Sequence, residues 1–264
     1  MERVSGERDV ATIIAIALIA SVLGNLLHEG VGHGGACLLT GGHARVLSTV
    51  HFECSQDSRF ISAGGTLVNG IAGFLCWVAL RFANQAHGRL RYFLWLLMTG
   101  DLLSAGGYFM FSGIGNFGDW ADVIRGLSPP WLWRVGLTLL GVVSYLSAVW
   151  LALRELRPFL AERDWRRGGA KDLTIIPYIT GGVLSTVAGI LNPVSWILVP
   201  LSAAAASFGG SSGMAWMTQY LGTRFAPRIP TQPFKLQRSR AWIIAALVVA
   251  ALFIGVLGPG IRFL

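Results

Sequence analysis

The sequence predicts an all-α polytopic membrane protein, with six to seven transmembrane helices and a short β-hairpin after the first helix. Three observations predict it. Apolar residues of the AVILMFWYC set make up 53% of the chain and charged residues only 13%, about half the charged share of an ordinary soluble domain (about 25%). A crossing of the hydrocarbon core takes about 20 apolar residues, and the 264 residues divide into that many runs with little left over. Sixteen of the 21 Lys and Arg residues then fall on one side of the threading, the bias expected of cytoplasmic loops. A soluble enzyme, a disordered chain and an ordinary nucleic-acid module are excluded. The net charge of +8 reads as this loop bias rather than as nucleic-acid binding.

The first span is residues 10–29, with a helical pattern running on to Leu39 before Thr40-Gly41-Gly42 stops it. Its flank is charge-balanced and lacks a small-x-small cleavage site, so it reads as an uncleaved helix. Residues 44–61 place Val46, Val50, Phe52 and Cys54 on even positions, with a turn expected at Ser55-Gln56-Asp57, which predicts a hairpin. Spans at 62–84 and 91–112 follow, then a polar, glycine-rich loop containing GIGNFGDWADVI. Pro129-Pro130 opens the fourth span, roughly 131–153, and residues 154–171 carry six basic side chains. A fifth span covers 174–192 and ends at Asn192-Pro193. Residues 195–222 are apolar but cut by Gly209-Gly210-Ser211-Ser212-Gly213, which predicts a broken sixth span. The last span is 241–259. The chain divides into a core at 1–129 and accessory helices at 130–264. With the N-terminus inside, the basic residues favour seven crossings and an outer C-terminus. Of three cysteines, Cys76 reads as packing, while Cys37 and Cys54 pair if their side of the membrane is oxidising.

The first span ends in His28-Glu29-Gly30-Val31-Gly32-His33. Ionisable side chains inside a membrane helix default to function. Two imidazoles beside a carboxylate are the usual makings of a catalytic zinc site, one ion per chain, with Glu29 as base. The spacing is one residue longer than H-E-x-x-H. At 3.6 residues per turn, histidines five apart diverge by about 140°. The surrounding glycines allow a π-type widening that would bring them together. In a regular helix Glu29, His33 and Cys37 would align instead, a competing metal face.

The run LLHEGVGHGGACLLTGGHARVLSTVHFEC, followed by SAGGTLVNGIAGFLCWVAL, resembles the M50B-like branch of the site-2-protease superfamily of intramembrane metallopeptidases. Gly64-Gly65 and Asn69 match its small-residue helix, and the resemblance covers roughly residues 20–125. It implies a membrane-embedded zinc metallopeptidase hydrolysing peptide bonds of a membrane-protein or peptide substrate, with a third core helix supplying an aspartate ligand. The family places its metal toward the cytoplasm, whereas the charge count puts His28 on the opposite side. Two further readings stand beside it: a metal-dependent hydrolase of lipid amides or esters, and a non-catalytic relative that binds membrane partners. The expected setting is a bacterial plasma (inner) membrane.

Depth chooses the third ligand. Asp101 lies about ten residues from either end of its span, roughly 10–15 Å deeper than the histidines at 1.5 Å per residue. Asp119, just beyond that span, lies at their level, with Asp122 as the next choice. Asp101, the other candidate for the third ligand, reads rather as a carboxyl hydrogen-bonded between helices. His51 can face the site from the hairpin, whereas His43 and His87 read as surface residues. Asn69 is either an interhelical hydrogen bond or a group that polarises the substrate carbonyl. The hairpin edge is a place where an extended substrate can add as a strand.

Overall fold

The computed structural model describes residues 8–84, 86–165, 170–193, 198–228 and 235–263. Expectations for residues 1–7, for 166–169 of the basic loop and for 194–197 at the head of the broken span lie outside these.

Among the described residues, six helices are long and apolar enough to cross a membrane. Helix α1 runs Val10–Leu39, capped by Asp9, whose carboxylate accepts the Thr12 N–H at 2.8 Å. Strands β1 (Ala44–Leu47) and β2 (Phe52–Cys54) form the expected antiparallel hairpin. Its connection is at residues 48–51 rather than at 55–57. Ser48 sets that turn, its N–H and its hydroxyl both donating to the His51 carbonyl at 2.9 and 3.0 Å. Helices α2 (Arg59–Phe82) and α3 (Gly88–Gly115) follow, then a short α4 (Asp119–Ile124). Helices α5 (Pro130–Phe159) and α6 (Lys171–Ile190) complete the regular spans before the break.

The segment predicted as a broken span is broken. Helix α7 (Leu198–Ala204) widens into a π-turn at Ala205–Gly209, and beyond it a four-residue helix, α8 (Gly213–Trp216), runs on into a 3₁₀ turn at Met217–Tyr220. The segment still carries the chain from one end of the bundle to the other. Ala188 near the end of α6 lies beside Gly258 at the end of the last helix, α9 (Arg240–Leu257). On the far side of the break, the Pro227 carbonyl accepts from Arg157 at the foot of α5.

The chain termini fix the direction of α9. Asp9 donates its N–H to Leu236 at 2.9 Å, so α1 and α9 start at the same end. At the other end the last residues form β3 (Ile261–Arg262), which pairs antiparallel with β1 and makes the hairpin a three-stranded sheet, order β2-β1-β3. That third strand was not foreseen. Two residues carry too little pattern to read as a strand, and the partner edge lies over 200 residues away in the sequence.

The two ends differ chemically. At the sheet end stand Arg45, Arg59, Arg125, Arg134 and Arg262, while Arg8, Arg81, Arg89, Arg91, Arg154, Arg157, Lys171 and Arg240 stand at the other, basic end. The main core joins both halves of the sequence, from Ile13 and Trp95 to Tyr145, Leu156 and Leu236. Large apolar side chains face outward on α5 (Leu139, Val143, Leu146) and on α9 (Ile244, Leu247, Val248), a surface that suits lipid rather than water.

Candidate metal centre

Residues Leu27–Gly34 of α1 form a π-helix. Its backbone bonds run from i to i+5, so side chains five apart sit about one turn apart, on one face. His28 and His33 therefore converge where a regular helix would splay them, and their Nε2 atoms are 3.3 Å apart. The alternative face of Glu29, His33 and Cys37 is not used. Cys37 is bonded to Cys54 as a disulfide, which ties the end of α1 to β2.

The third donor arrives from the turn after α3. Asn116 (φ 51°) and Gly118 (φ 83°) both adopt left-handed backbone, which reverses the chain between α3 and α4. Asp119 then opens α4, and Trp120 anchors it by packing on Phe109 with ring centroids 4.6 Å apart. Asp119 Oδ2 lies 3.3 Å from His28 Nε2 and 3.5 Å from His33 Nε2.

These three atoms make a possible metal-binding triad. Four-coordinate zinc with bonds of about 2.0–2.1 Å holds its ligand atoms about 3.3–3.4 Å apart. The observed separations of 3.3, 3.3 and 3.5 Å fit that face of a tetrahedron. Hydrogen bonding points the same way. Asp119 Oδ2 is buried without a hydrogen bond. Both imidazoles use Nδ1 elsewhere, His28 on Asn69 Oδ1 at 2.8 Å and His33 on the Ile61 carbonyl at 2.7 Å. Since each partner is an acceptor, each Nδ1 carries the proton and each Nε2 presents its lone pair, the tautomer that a metal needs. When the imidazoles carry a second proton, at Nε2, they outweigh the burial that would push the Asp119 carboxyl up and hold it below the usual carboxylate range.

Asn69 makes an interhelical hydrogen bond, one of the two roles expected for it. Its Nδ2 donates to Asp101 Oδ1 at 2.9 Å, so its oxygen has to face His28. Asp101 lies outside the triad; it holds the amide that holds an imidazole. Asp122 is exposed and paired with Arg125 in its own turn. His51 is exposed at the hairpin connection, and His43 and His87 are exposed as expected.

Glycines make the assembly possible. A Cβ on Gly32 would come within 2.5–2.7 Å of the backbone of Gly64 and Gly65, so α1 and α2 meet backbone to backbone. A Cβ on Gly65 would stand 2.6 Å from both Nε2 atoms. The Gly64-Gly65 pair is therefore the floor of the site.

Two hollows flank it. A cleft of about 1640 Å³ lies toward the sheet end, bordered by Asp119, Tyr108, Phe111, His51, Arg262 and Phe263. A narrower chamber of about 190 Å³ runs the other way and is lined by His28 and Glu29 at one end. Glu29 is only 6% exposed, and among the described residues its carboxylate has no hydrogen bond. Tyr108 stacks on His28, centroids 4.6 Å apart, and borders both hollows. Sequence reasoning passed over Tyr108, although it lies seven residues after Asp101, two turns along the same face of α3. The Ile61 carbonyl, a backbone group, gave no signal at all.

Compared with models of protein families, with curated proteins and with solved structures, the chain matches none.

Proposed function

We propose that the protein is a membrane-embedded zinc metallopeptidase, in keeping with the site-2-protease resemblance of residues 20–125. The observation that carries this reading is the convergence of His28 Nε2, His33 Nε2 and Asp119 Oδ2 at zinc-like separations, with both Nδ1 atoms engaged elsewhere. A zinc ion held there would supply Lewis acidity and a water acidic enough to ionise near pH 7.

The chain's own groups account for the rest. Glu29, one residue from a ligand and unpaired among the described residues, takes a proton from the attacking water and returns it to the departing amide nitrogen. Asn69 spends its amide oxygen on His28 and an N–H on Asp101, and this reading gives it no part in polarising the carbonyl. Tyr108 offers a phenolic donor at the boundary of the cleft instead. The cleft admits an extended peptide. One edge of the hairpin, however, is already taken by β3, so strand addition is left to the β2 edge.

Metal analysis beside turnover tests the reading. Purified protein is expected to hold about one zinc per chain, and Glu29→Gln to keep the zinc while losing about 10²–10⁴-fold in turnover. Unchanged turnover in Glu29→Gln would place the base elsewhere, and a metal-free wild type would sink the proposal. Phe111, Ile114 and Phe117 expose apolar surface along the cleft, which favours, as a second reading, hydrolysis of a lipid amide or ester. Parallel assays on peptide and lipid substrates separate the two.

A further inference from the structure

Of the arginines at the sheet end, all but one are committed to the protein itself. Arg45 lies 3.6 Å from Glu53, Arg59 donates to the Arg125 carbonyl at 3.0 Å, and Arg125 pairs with Asp122. Arg134 donates to the Gly113 and Ile114 carbonyls at 3.1 and 2.7 Å. Arg262 is exposed and, among the described residues, has neither a hydrogen bond nor an ion pair. The strand that carries it fixes its place. Gly260 (φ 87°) turns the chain out of α9. Strand β3 then sets Ile261 opposite Leu47 and Arg262 opposite Val46, and the Phe263 N–H donates to the Arg45 carbonyl at 2.9 Å. Successive side chains of a strand point to opposite faces. One face of this sheet carries Phe52, Leu47 and Ile261, and Phe52 packs toward α1, its ring 3.3 Å from where a Cβ on Gly34 would lie. The other face carries Glu53, Val46 and Arg262, and all three border the cleft. Arg45 borders it as well, because the β1–β2 ladder slips by one residue between Ala44 and Val46.

The charges along the cleft therefore do not balance. Of the carboxylates among its described lining residues, Asp119 belongs to the metal triad and Glu53 sits beside Arg45. Arg262 is left over, on the border of a hollow that also exposes Phe111, Ile114 and Phe117. A cation beside an apolar wall suits a ligand with an apolar body and an anionic group. A guanidinium meets a carboxylate with two parallel N–H donors. We infer that Arg262 selects the substrate: the peptide that is cut carries an aspartate or glutamate next to an apolar stretch, and Arg262 takes that carboxylate while the apolar stretch lies along Phe111, Ile114 and Phe117. This rests on the peptidase reading and gives it a substrate class. A lipid phosphate would also satisfy a guanidinium, but sites for anionic headgroups gather several basic side chains, whereas the one unmatched charge of this cleft equals the one charge of a carboxylate. The C-terminal strand thereby acquires a task, because its pairing with β1 is what brings Arg262 to the cleft.

Binding tests this apart from turnover, on full-length Glu29→Gln supplied with zinc, so that the peptide is not consumed. The probes are short fluorescein-labelled apolar peptides with a single glutamate moved along the sequence, and the same peptides with glutamine or lysine in its place. The best-placed glutamate is expected to bind about tenfold tighter than its glutamine counterpart, as one hydrogen bond to a charged group allows. Adding Arg262→Gln is expected to abolish that gap, Arg262→Lys to retain part of it, and Arg262→Glu to turn the preference toward lysine. Arg59→Gln, at the same end but not bordering the cleft, is expected to leave the gap as it is. Unchanged helical circular dichroism shows that each variant is folded. Equal binding of glutamate and glutamine peptides at every position, or a gap that survives Arg262→Gln, would overturn the inference. Phosphatidylglycerol vesicles retained only when Arg262 is present, with no such gap, would overturn it by giving the cation to lipid. The two failures are separable. If the unsubstituted chain cuts glutamate, glutamine and lysine peptides alike, the peptidase reading stands and the inference falls. If binding follows charge through Arg262 but no peptide is cut, the cleft selects acidic peptides and the peptidase reading falls.

Discussion

Asp119 and Asp101 show how depth assigns one side-chain chemistry to two tasks. Asp119 meets both imidazoles directly, whereas Asp101 reaches His28 only through Asn69. Asp119→Ala is therefore expected to lower zinc occupancy most. Asn69→Ala should weaken zinc binding by about 10–100-fold, the usual cost of losing a group that orients a ligand, and Asp101→Ala by no more than that. Competition with a chelator measures all three, and a larger effect for Asp101→Ala would show that the ligands are misassigned. Protons give a second check. The Asp119 carboxyl is held below the usual carboxylate range and has no proton to lose near neutrality, so only the imidazoles shed protons as metal enters. The logarithm of zinc affinity is expected to rise with pH at a slope of at most about two between pH 5 and 7. A steeper slope would require a third titrating ligand.

At the scale of elements, the site depends on one widened turn and one close helix contact. Both were half-visible in the sequence. The spacing of His28 and His33 is incompatible with a shared metal on a regular helix, and the glycines around it supplied the remedy that the structure adopts at Leu27–Gly34. Asp119 was legible for a different reason, because rise per residue converts sequence position into depth. Tyr108, the Ile61 carbonyl and β3 were not legible, since each acts through a contact distant in sequence that leaves no periodic or compositional trace. The glycines make the close contact testable. Gly65→Ala drives a methyl to 2.6 Å from both Nε2 atoms, and it is expected to abolish zinc binding while the helices still form. A methyl on Gly30 would meet nothing within 4 Å, so Gly30→Ala should keep zinc and shift the melting temperature little. Equal zinc content in the two variants would mean that α2 does not press on the imidazoles as described.

At the scale of the whole molecule, two independent features mark the same end of the bundle. The sheet end carries the smaller share of the basic residues, and loops of that kind lie away from the cytoplasm. It also carries the Cys37–Cys54 disulfide, and disulfides persist on oxidising sides of membranes. Charge bias acts as the chain inserts and thiol oxidation acts after it folds, so their agreement is not built in. Together they lead to the expectation that the cleft and Asp119 face away from the cytoplasm. This opposes the cytoplasmic placement that the family resemblance implies. In intact cells, an impermeant maleimide is expected to label neither Cys37 nor Cys54 until an impermeant reductant is added outside, and then to label both. Labelling without reductant would show that the bridge does not form in the membrane. Labelling only after the cells are opened would turn the molecule over, putting the cleft on the cytoplasmic side while leaving the geometry of the metal centre intact.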